Sequence, residues 1–537
     1  MSGDMGVEII VYLLEPFALD REPKIYILNK SGAFRSISIE DLSKRKKTLV
    51  TYDWHSLVPY FRRRNCLPPR EIIDICQVGK LLLGDPEKKK RENYFWIVLN
   101  DLFPNWEGLV SIQKILHGGG KIGGLEFPEK LLEEFSFKVR FLWEGFEKEL
   151  SEKGELERFT KVEKPIQGIL IDREYFGIRV DNKFFSKYLS DIDFEFAKVS
   201  KILRDRWGIY DIKDRDKLKS VLENEGFLYL ADNVGRRLFN DLLEISNPDC
   251  ELVDCVKKAM SLRKEKTLIL RFGTIGEKRV FPEFDLMGTV SGRILVSQPL
   301  IQNIKKGARK LIVADKDYVF LYPDYKQFEP GILAFESNDA SLIEMYNRGD
   351  VYCELSQSLF GTSEKREISK KVFLAFSYGM NKSGLAKLLS ESWGFSRDEA
   401  SIKIDKFFQE FSGLDDWKKG LFDSFKVESG VSSRLGNYRW RNSPSSSIIS
   451  NAEKRWVVSQ RIQGTASLIL KKAILNVYRK IPEAEFVVPM HDAVLYQVPI
   501  KKENEIKHLI EGIFIKSFKN ECPSIVPRIN FSSFYEN

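Results

Sequence analysis

The chain has 537 residues, of which 43% are hydrophobic and 30% are charged, as in an ordinary globular protein. Its formal net charge of +8 suits a polyanionic partner but is too mild over this length to demonstrate one. The chain has no run of about 18 uncharged apolar residues and no secretory leader pattern, which excludes an evident membrane anchor or export signal. We therefore expect a cytoplasmic protein, in the host cytoplasm if its source is viral, with about three or four subdomains.

The six cysteines include no Cys-x-x-Cys pair, and only four histidines are available to complete a zinc site. This composition argues against structural zinc. Reduced, mostly packed thiols are the expectation.

The first 150 residues have the pattern of an α/β module. Residues 7–14 (VEIIVYLL) and 24–28 (KIYIL) predict strands, and residues 70–83 (REIIDICQVGKLLL) predict a helix. The glycine-rich residues 117–124 (HGGGKIGG) resemble a phosphate-binding loop, but Ile follows Gly-Lys where a Walker loop needs Ser or Thr. A flexible surface loop is favoured there.

The middle of the chain is strongly charged. Residues 146–164 predict either a domain boundary or a solvated helix face. Residues 187–207 and 249–271 have long helical periodicity with many basic side chains, which fits either an arm over a polyanion or a solvated face. Residues 442–447 (NSPSSS) predict a short loop.

Two acids stand at the ends of strand-like runs in the second half of the chain. The run YVFLY is followed by Asp324, and Glu329 comes five residues later. Residues 486–498 (FVVPMHDAVLYQV) predict a hairpin with His491 and Asp492 at its tip. Each acid taken alone is more typical of a solvated turn than of a ligand.

A predicted helix supplies matching cations. In REISKKVFLAFSYG, residues 366–379, four side chains recur at every fourth position and so share one helix face: Arg366, Lys370, Leu374 and Tyr378. Two cations, a hydrophobe and a phenol suit a triphosphate, a sugar and a base, whereas the alternative is an amphipathic face with solvated cations. A fourth segment, residues 288–304, contains Arg293, Gln302 and Asn303 among turn residues.

Together these segments outline a nucleotidyl transfer site. In-line phosphoryl transfer uses two divalent metals about 3.5–4 Å apart, held by carboxylates from different strands. Asp324 and Asp492 are placed to be such carboxylates, and Arg366 and Lys370 to neutralise a triphosphate.

In order and spacing, the four segments resemble DNA polymerase I-type (family A) DNA polymerases. The family's motif Asp-Tyr-Ser-Gln-x-Glu is matched by residues 324–329, its fingers helix Arg-x3-Lys-x3-aromatic-x3-Tyr-Gly by residues 366–379, and its Val-His-Asp-Glu motif by residues 490–493. Residues 461–473 (RIQGTASLILKKA) resemble the family's Gln-Gly-Thr-Ala helix. The similarity begins near residue 165, and residues 175–181 (YFGIRVD) resemble the family's entry to the thumb.

The resemblance implies a multidomain fold of the α+β and α/β classes, a right hand of palm, fingers and thumb behind an N-terminal domain. We expect an exonuclease-like domain (RNase H-like) over residues 1–150, a thumb over 151–275, palm over 276–345, fingers over 346–440 and palm again over 441–537. The N-terminal domain resembles the family's 3′–5′ exonuclease only weakly, because Asp53 alone matches its carboxylate motifs. We expect this domain to be degenerate and inactive in proofreading. We expect no 5′-nuclease region before it, which would suit a viral or phage replicase or a reduced bacterial enzyme.

The resemblance also implies residue roles. Asp324 and Asp492 would be catalytic and would ligate two Mg²⁺ ions, with Mn²⁺ a possible substitute, aided by the backbone carbonyl of Tyr325. Glu329 would act as a gate against the 2′-hydroxyl. Nucleotide contacts would come from Gln327, Glu329, Tyr352, Arg366, Lys370, Leu374 and Tyr378. DNA contacts would come from Arg293, Gln302, Asn303, Arg455, Gln463 and His491.

The sequence departs from the family pattern at several of these positions. Lys326 replaces Ser, Pro330-Gly331 replaces Leu-Arg, Tyr352 replaces a phosphate-binding His, Leu374 replaces an aromatic residue, and Ala493 replaces Glu. The last change puts a third carboxylate in doubt. Both principal metal ligands are present, so activity is still expected.

The resulting hypothesis is a template-directed DNA polymerase of replication or repair. It would extend a primer 3′ end with dNTPs and release pyrophosphate, as a monomer on primer–template DNA, without a membrane and with accessory proteins left open. Two alternatives stay open: a single-subunit RNA polymerase-like enzyme, against which Glu329 argues, and a non-catalytic nucleic-acid-binding replication scaffold, against which the intact carboxylates and cations argue.

Overall fold

The computed structural model describes residues 7–14, 22–116, 128–232, 234, 250–273, 278–441 and 448–536. The predicted loops at residues 117–124 and 442–447 lie outside the described residues. The described α-helices, numbered α1 to α21 in chain order, are Ile39–Ser43, Val58–Arg63, Ile75–Leu83, Lys88–Leu102, Gly108–Leu116, Pro128–Glu152, Leu156–Arg158, Lys164–Phe176, Asn182–Trp207, Arg215–Asn224, Leu228–Asp232, Glu251–Leu270, Phe328–Ser337, Ala340–Arg348, Val351–Phe360, Arg366–Ser377, Lys382–Trp393, Arg397–Glu410, Ser412–Glu428, Asn451–Lys480 and Glu503–Glu521.

The described strands, β1 to β16, are Glu8–Leu13, Lys24–Leu28, Phe34–Ile37, Leu49–Thr51, Ile72–Asp74, Ile178–Arg179, Arg279–Val280, Glu283–Asp285, Leu295–Gln298, Tyr318–Leu321, Pro323–Tyr325, Gly430–Val431, Arg439–Trp440, Glu485–Met490, Ala493–Pro499 and Ile529–Phe531. None of the helices in the described ranges is long and apolar enough to cross a membrane. All six cysteines are free thiols.

The described residues fall into two compact units. The first takes in Met1–Phe176, Glu283–Val296 and Lys316–Ser533, and the second takes in Gly177–Pro282, Ser297–Asp315 and Phe534–Asn537, as far as these are described. The predicted boundary at residue 150 falls inside helix α6, which ends at Glu152. The division into the five named domains stays a prediction.

The N-terminal part of the first unit is built on a five-stranded sheet of order β3-β2-β1-β4-β5. Strand β1 is antiparallel to β2 and parallel to β4, and β4 is parallel to β5. Every residue of β1 (EIIVYL) is buried because the run is almost wholly apolar. The predicted strands and the α/β module are confirmed.

The helix predicted over residues 70–83 is correct only from Ile75 onward. Residues 72–74 form the edge strand β5, for which the two β-branched isoleucines are well suited. Asp74 then ends the strand and caps helix α3, because its side chain accepts a hydrogen bond from the Cys76 backbone N–H.

The charged residues 146–164 have the solvated face that was one prediction for them, with Lys148, Glu152, Glu157 and Lys161 exposed, but their other side is packed. Phe146, Leu150 and Phe159 are buried. Arg158 and Glu163 are also buried and form an ion pair at 2.7 Å. Paired charges and apolar side chains are thus packed together, a combination that charge density alone does not reveal.

The second sheet of the first unit carries the two predicted acids. Its order is β10-β15-β11-β16, with β14 paired to β15, and all its pairings are antiparallel. The apolar run before Asp324 forms β10, and the predicted hairpin is formed by β14 and β15. Helix α20 begins at a capping box, in which Ser450 and Glu453 each accept from the other's backbone N–H, and packs against α13 and α21.

In the second unit, the two predicted long helices are confirmed as α9 and α12, which pack along each other. An apolar seam that includes Val199, Leu203 and Val256 joins them. Ion pairs flank the seam, among them Lys258 with Glu195 at 2.8 Å. The arm over a polyanion stays a prediction.

Candidate active site

The two predicted carboxylates meet where β11 pairs with the start of β15. Asp324, in the middle of β11, is opposite Ala493 in the β11–β15 pairing. Asp492 immediately precedes Ala493 in the hairpin turn, and its backbone carbonyl accepts a long hydrogen bond of 3.4 Å from the Tyr325 N–H. His491 at the tip is exposed with a φ of 56°, which turns the chain sharply between β14 and β15.

Burial and mutual repulsion perturb both acids. The pKa of Asp324 is raised to about 6, first by burial and then by the charge of Asp492. The pKa of Asp492 is also raised, mainly by burial, with Glu329 adding to the shift and Arg293 and His491 opposing it. Two partly buried acids whose ionisation is disfavoured form a site that a cation would stabilise.

The donor set at this position fits a hard divalent cation. Carboxylate and backbone carbonyl oxygens are the ligands that Mg²⁺ prefers, and Asp324, Asp492 and the carbonyl of Tyr325 can supply them. Two carboxylates are fewer than a complete cage, and among the described residues no group of three or more His, Cys, Asp or Glu side chains is arranged to hold a metal. Two protein carboxylates are enough where the oxygens of a phosphate substrate supply the remaining ligands of the metal.

Glu329 is the centre of a polar network beside the two acids. It lies in the first turn of α13. One carboxylate oxygen accepts from Arg293 Nη2 at 2.9 Å, and the other accepts from the Tyr378 hydroxyl. The same Arg293 Nη2 lies 3.5 Å from Asp492 Oδ1. Burial raises the pKa of Tyr378, and the Glu329 charge raises it further, while a hydrogen bond with Gln463 opposes the shift.

Helix α16 places the predicted cations along one side of this network. Arg366, at its first residue, donates from Nε and Nη2 to Asp350 Oδ2 at 3.1 and 2.9 Å. Its guanidinium also lies 5.3 Å from the centre of the Tyr352 ring. Lys370, one turn further on, makes no hydrogen bond or ion pair with the residues that the structure describes. Lys370 is therefore the cation of this face that can bind a new anion without breaking an existing pair.

Leu374 and Tyr378 close the other end of the same face. Both line a small cavity together with Glu329, Leu333 and Phe373. Leu374 is half-buried, unlike its neighbour Phe373, which is 1% exposed. Its partial exposure and its place on the cavity wall argue against a purely structural role for Leu374 in the core.

Gln327 is near the site, but its side chain is engaged with the backbone. It has a φ of 51° and precedes α13. Its Oε1 accepts from the Val351 N–H at 3.1 Å and so holds the start of α15. The next residue, Tyr352, is buried at 5% exposure. Gln327 thus fixes Tyr352 relative to Glu329.

The remaining predicted DNA contacts are divided between the units. Arg455 is exposed near the start of α20. It lies close to Gly379, because a Cβ placed on that glycine would be 3.3 Å from Arg455 Cγ. Gln302 and Asn303 lie in a 3₁₀ turn of the second unit, Ile301–Asn303.

Sequence reasoning missed Asp350. It caps α15 by accepting from the Tyr352 and Cys353 N–H groups, and it is also the partner of Arg366. The acid before a helical run in residues 349–353 (GDVYC) is a usable capping signal. Its pairing with a cation sixteen residues later has no such local signal.

Comparison with known proteins follows the same motifs. A family model described as DNA polymerase family A matches residues 235–527, more than half of the chain. DNA polymerase I of Helicobacter pylori is 26% identical over 394 residues, which are 70% of this chain and 44% of that protein. DNA polymerase I of Bacillus subtilis is 24% identical over 459 residues, 80% of this chain and 52% of that protein. The chain thus spans about half the length of the curated relatives that it matches.

A solved structure gives the same fold. The POL domain of Pol1 from M. smegmatis, in complex with DNA primer-template and dNTP, superposes with a TM-score of 0.77 at 19% identity, covering 99% of this chain and 96% of that chain. At this identity the likeness establishes the fold alone.

Proposed function

The chain belongs to DNA polymerase family A, and on that premise we propose that it extends the 3′ end of a DNA primer along a template with dNTPs and releases pyrophosphate. The observation that carries the proposal is the meeting of Asp324 and Asp492 where β11 pairs with the start of β15, beside the Glu329 network. A nucleic-acid-binding scaffold would have no use for two carboxylates that are costly to ionise side by side.

The carboxylate pair would hold the metal ions. Divalent metals serve family A DNA polymerases in general, and we propose two Mg²⁺ ions, with Mn²⁺ as a substitute, on Asp324, Asp492 and the Tyr325 carbonyl. Bound metal would lower the pKa of the attacking hydroxyl and stabilise charge on the leaving oxygen. The chain's own contribution is to fix the two acids where these strands pair, so that neither must move before reaction.

The triphosphate would bind along α16. Lys370 can meet a phosphate directly, because it has no partner to release among the described residues. Arg366 would offer Nη1, which now donates to the exposed Glu367, while Nε and Nη2 stay aligned by Asp350. Tyr352, beneath that guanidinium, would donate a hydrogen bond where relatives are expected to use a histidine.

The sugar and base would sit against Glu329, Leu374 and Tyr378. Glu329 is held in place by Arg293 and Tyr378, so a 2′-hydroxyl would meet a fixed carboxylate rather than a mobile one. This favours deoxyribonucleotides and weighs against the RNA polymerase alternative. The Tyr378 ring would pack against the incoming base.

The primer–template would be contacted by Arg293, Gln302, Asn303, Arg455, Gln463 and His491. We propose that the protein acts as a monomer in the cytoplasm of its cell or host. The five named domains are proposed with the boundaries given above, and a mixed five-stranded sheet is a suitable frame for an exonuclease-like domain.

We propose that this N-terminal domain does not proofread. Asp53 accepts a hydrogen bond from the Ser56 hydroxyl at 2.7 Å. A neighbouring acid is Asp74, which sequence reasoning overlooked. The pKa of Asp74 is raised mainly by burial, with the charge of Asp53 adding to the shift. Asp74 is already used as a backbone acceptor for Trp54 and Cys76. Because Asp74 is buried and already accepts two backbone hydrogen bonds, Asp74 and Asp53 together are a poor ligand set for two metal ions.

A primer-extension assay tests the function. The wild-type protein is expected to extend a primer with dNTPs and Mg²⁺, to fail without metal, and to use rNTPs poorly. Asp324→Asn and Asp492→Asn are expected to abolish extension while primer–template affinity, measured by fluorescence anisotropy, stays near that of the wild type. Asp423→Asn, which removes an exposed acid that pairs with Lys426, is the matched control and is expected to extend normally.

The outcomes separate the alternatives. No extension by folded wild-type protein that still binds DNA would favour the scaffold. Preferred use of rNTPs would favour the RNA polymerase. Near wild-type extension by either Asn variant at the carboxylate pair would refute the site.

A further inference from the structure

The N-terminal sheet domain contacts a short segment that leads directly into the candidate active site. We define the Arg293 loop as residues 283–293. Three residues of the N-terminal half of the chain bind it: Glu174 accepts from the Phe284 N–H at 3.0 Å, Lys80 pairs with Asp285 at 2.8 Å, and Gln77 accepts from the Met287 N–H at 3.2 Å.

Arg91, on helix α4, makes a further buried contact with the Arg293 loop. It is only 6% exposed, and its Nη2 donates to the backbone carbonyls of Met287 and of Thr289, the latter at 3.1 Å. Burial lowers the pKa of Arg91, because the desolvated position disfavours a cation. Burying a guanidinium costs desolvation free energy, and the hydrogen bonds to the two backbone carbonyls offset part of that cost.

Thr289 connects Arg91 to Arg293. Its carbonyl accepts from Arg91, and its hydroxyl accepts from the Arg293 backbone N–H at 3.0 Å. The Val290 carbonyl between them is also held, because Asn437 and Gln460 donate to it at 3.1 and 3.3 Å. The path from Arg91 to Arg293 is therefore a short stretch of backbone held by several hydrogen bonds.

Arg293, at the end of this path, contacts both Glu329 and Asp492. Its Nη2 is 2.9 Å from Glu329 and 3.5 Å from Asp492. A long side chain reaches such a position reliably only when its backbone is fixed, because an error in backbone placement is carried along the whole side chain.

We propose that the N-terminal domain, whatever its ancestry, acts as the positioning element of the polymerase site, and that Arg91 is a positioning residue that aims Arg293 at Glu329 and Asp492 through Thr289. The inference rests on the proposed function and deepens it. It gives a domain without evident chemistry a role in the reaction rather than in folding alone.

The chain offers a matched control for the test. Arg140, on α6 of the same domain, also donates from Nη2 to two consecutive backbone carbonyls, those of Leu28 and Asn29 at the end of β2. Arg91→Met and Arg140→Met thus remove the same group from the same kind of contact. Only the first contact belongs to the Arg293 loop.

Steady-state extension is measured for the wild type and for the single variants Arg91→Met, Arg140→Met and Arg293→Met. It is also measured for the two double variants that combine Arg293→Met with Arg91→Met or with Arg140→Met. Arg91→Met is expected to lower kcat about tenfold with the KM for dNTP within about twofold of wild type, because Lys370 and Arg366 are untouched. Combined with Arg293→Met it should add less than about twofold to the loss of the Arg293 variant, since its effect passes through Arg293. Arg140→Met should leave kcat within about twofold, whatever its thermal midpoint.

Each result decides the inference. A wild-type kcat for Arg91→Met, losses that multiply with Arg293→Met, or an equal loss from Arg140→Met would overturn it and leave a purely structural role. If Arg91→Met does not fold, Arg91→Lys decides instead: an ammonium cannot reproduce the guanidinium fork, so kcat should fall about threefold, and an unchanged kcat refutes the proposal. An inactive wild type would refute the proposed function instead, so the two failures are distinguishable.

Discussion

Replacing Asp324 by Asn should stabilise the protein while it removes activity. Burial and the Asp492 charge raise the Asp324 pKa from 3.8 to about 6. Below the lower value the acid is protonated in both the folded and the unfolded state, so it contributes nothing to the pH dependence. As pH rises through this window, the unfolded state ionises first, and above the upper value the folded state bears the full cost of the buried charge.

The size of the effect follows from the shift. A rise of this size in the pKa corresponds to about 3 kcal/mol, and solvent screening of a side chain that is only partly buried reduces this to about 1–2 kcal/mol. Asn has nearly the same shape and carries no charge. The variant should therefore be more stable than wild type by about 1–2 kcal/mol at about pH 8, and the difference should vanish near about pH 4.

Thermal unfolding in EDTA at both pH values measures this difference. Adding Mg²⁺ or Mn²⁺ at the higher pH should then raise the wild-type midpoint and leave that of Asp324→Asn nearly unchanged, because a ligand that binds only the folded state stabilises it. The reasoning is refuted if Asp324→Asn is no more stable than wild type at the higher pH, or if the difference does not shrink on acidification.

Four further predictions test individual roles. Lys370→Met should raise the KM for dNTP by about tenfold or more with little change in primer–template affinity, and an unchanged KM in steady-state extension would remove Lys370 from the triphosphate site. Leu374→Tyr should relax discrimination against ddNTPs, because a hydroxyl worth about 0.5–1.5 kcal/mol can replace the missing 3′-hydroxyl; an unchanged ddNTP-to-dNTP ratio in competitive incorporation by an active variant would contradict this. Glu329→Ala should increase rNTP use relative to dNTP, measured in the same competition, and a constant ratio would show that the gate lies elsewhere. The wild type and Asp53→Ala should both release no 3′ nucleotide from a mismatched, end-labelled primer, whereas metal-dependent trimming lost in Asp53→Ala would show that the exonuclease is active.

Local pattern was sufficient for the elements that carry the acids and the cations. The apolar run ending at Asp324, the hairpin around Asp492 and the helix beginning at Arg366 each lie within about a dozen residues, and each is confirmed. Alternation and four-residue spacing are set by strand and helix geometry, so they can be recognised in one sequence.

Pairings over long sequence separations could not be predicted in the same way. Arg293 and Asp492 are 199 residues apart, and the sequence suggested only a DNA contact for Arg293. Gln327 was expected at the nucleotide, yet its Oε1 binds the Val351 N–H. Such contacts depend on how helices and sheets pack, which local spacing does not specify. The strand at residues 72–74 is a smaller case of the same kind, because sheet pairing overrode a helical pattern.

The two contacts of Arg293 explain why its placement matters. The guanidinium is closer to Glu329, at 2.9 Å, than to Asp492, at 3.5 Å. Arg293 can therefore release Asp492 for metal binding while its contact with Glu329 keeps the sugar gate in place. A loop free to shift by about 1 Å would equalise or reverse these contacts, and Arg293 would then neutralise the acid that has to bind the cation. The hydrogen bonds that run from Arg91 through Thr289 favour the first arrangement, which is why a change in the N-terminal domain should alter kcat at a site to which that domain contributes no ligand.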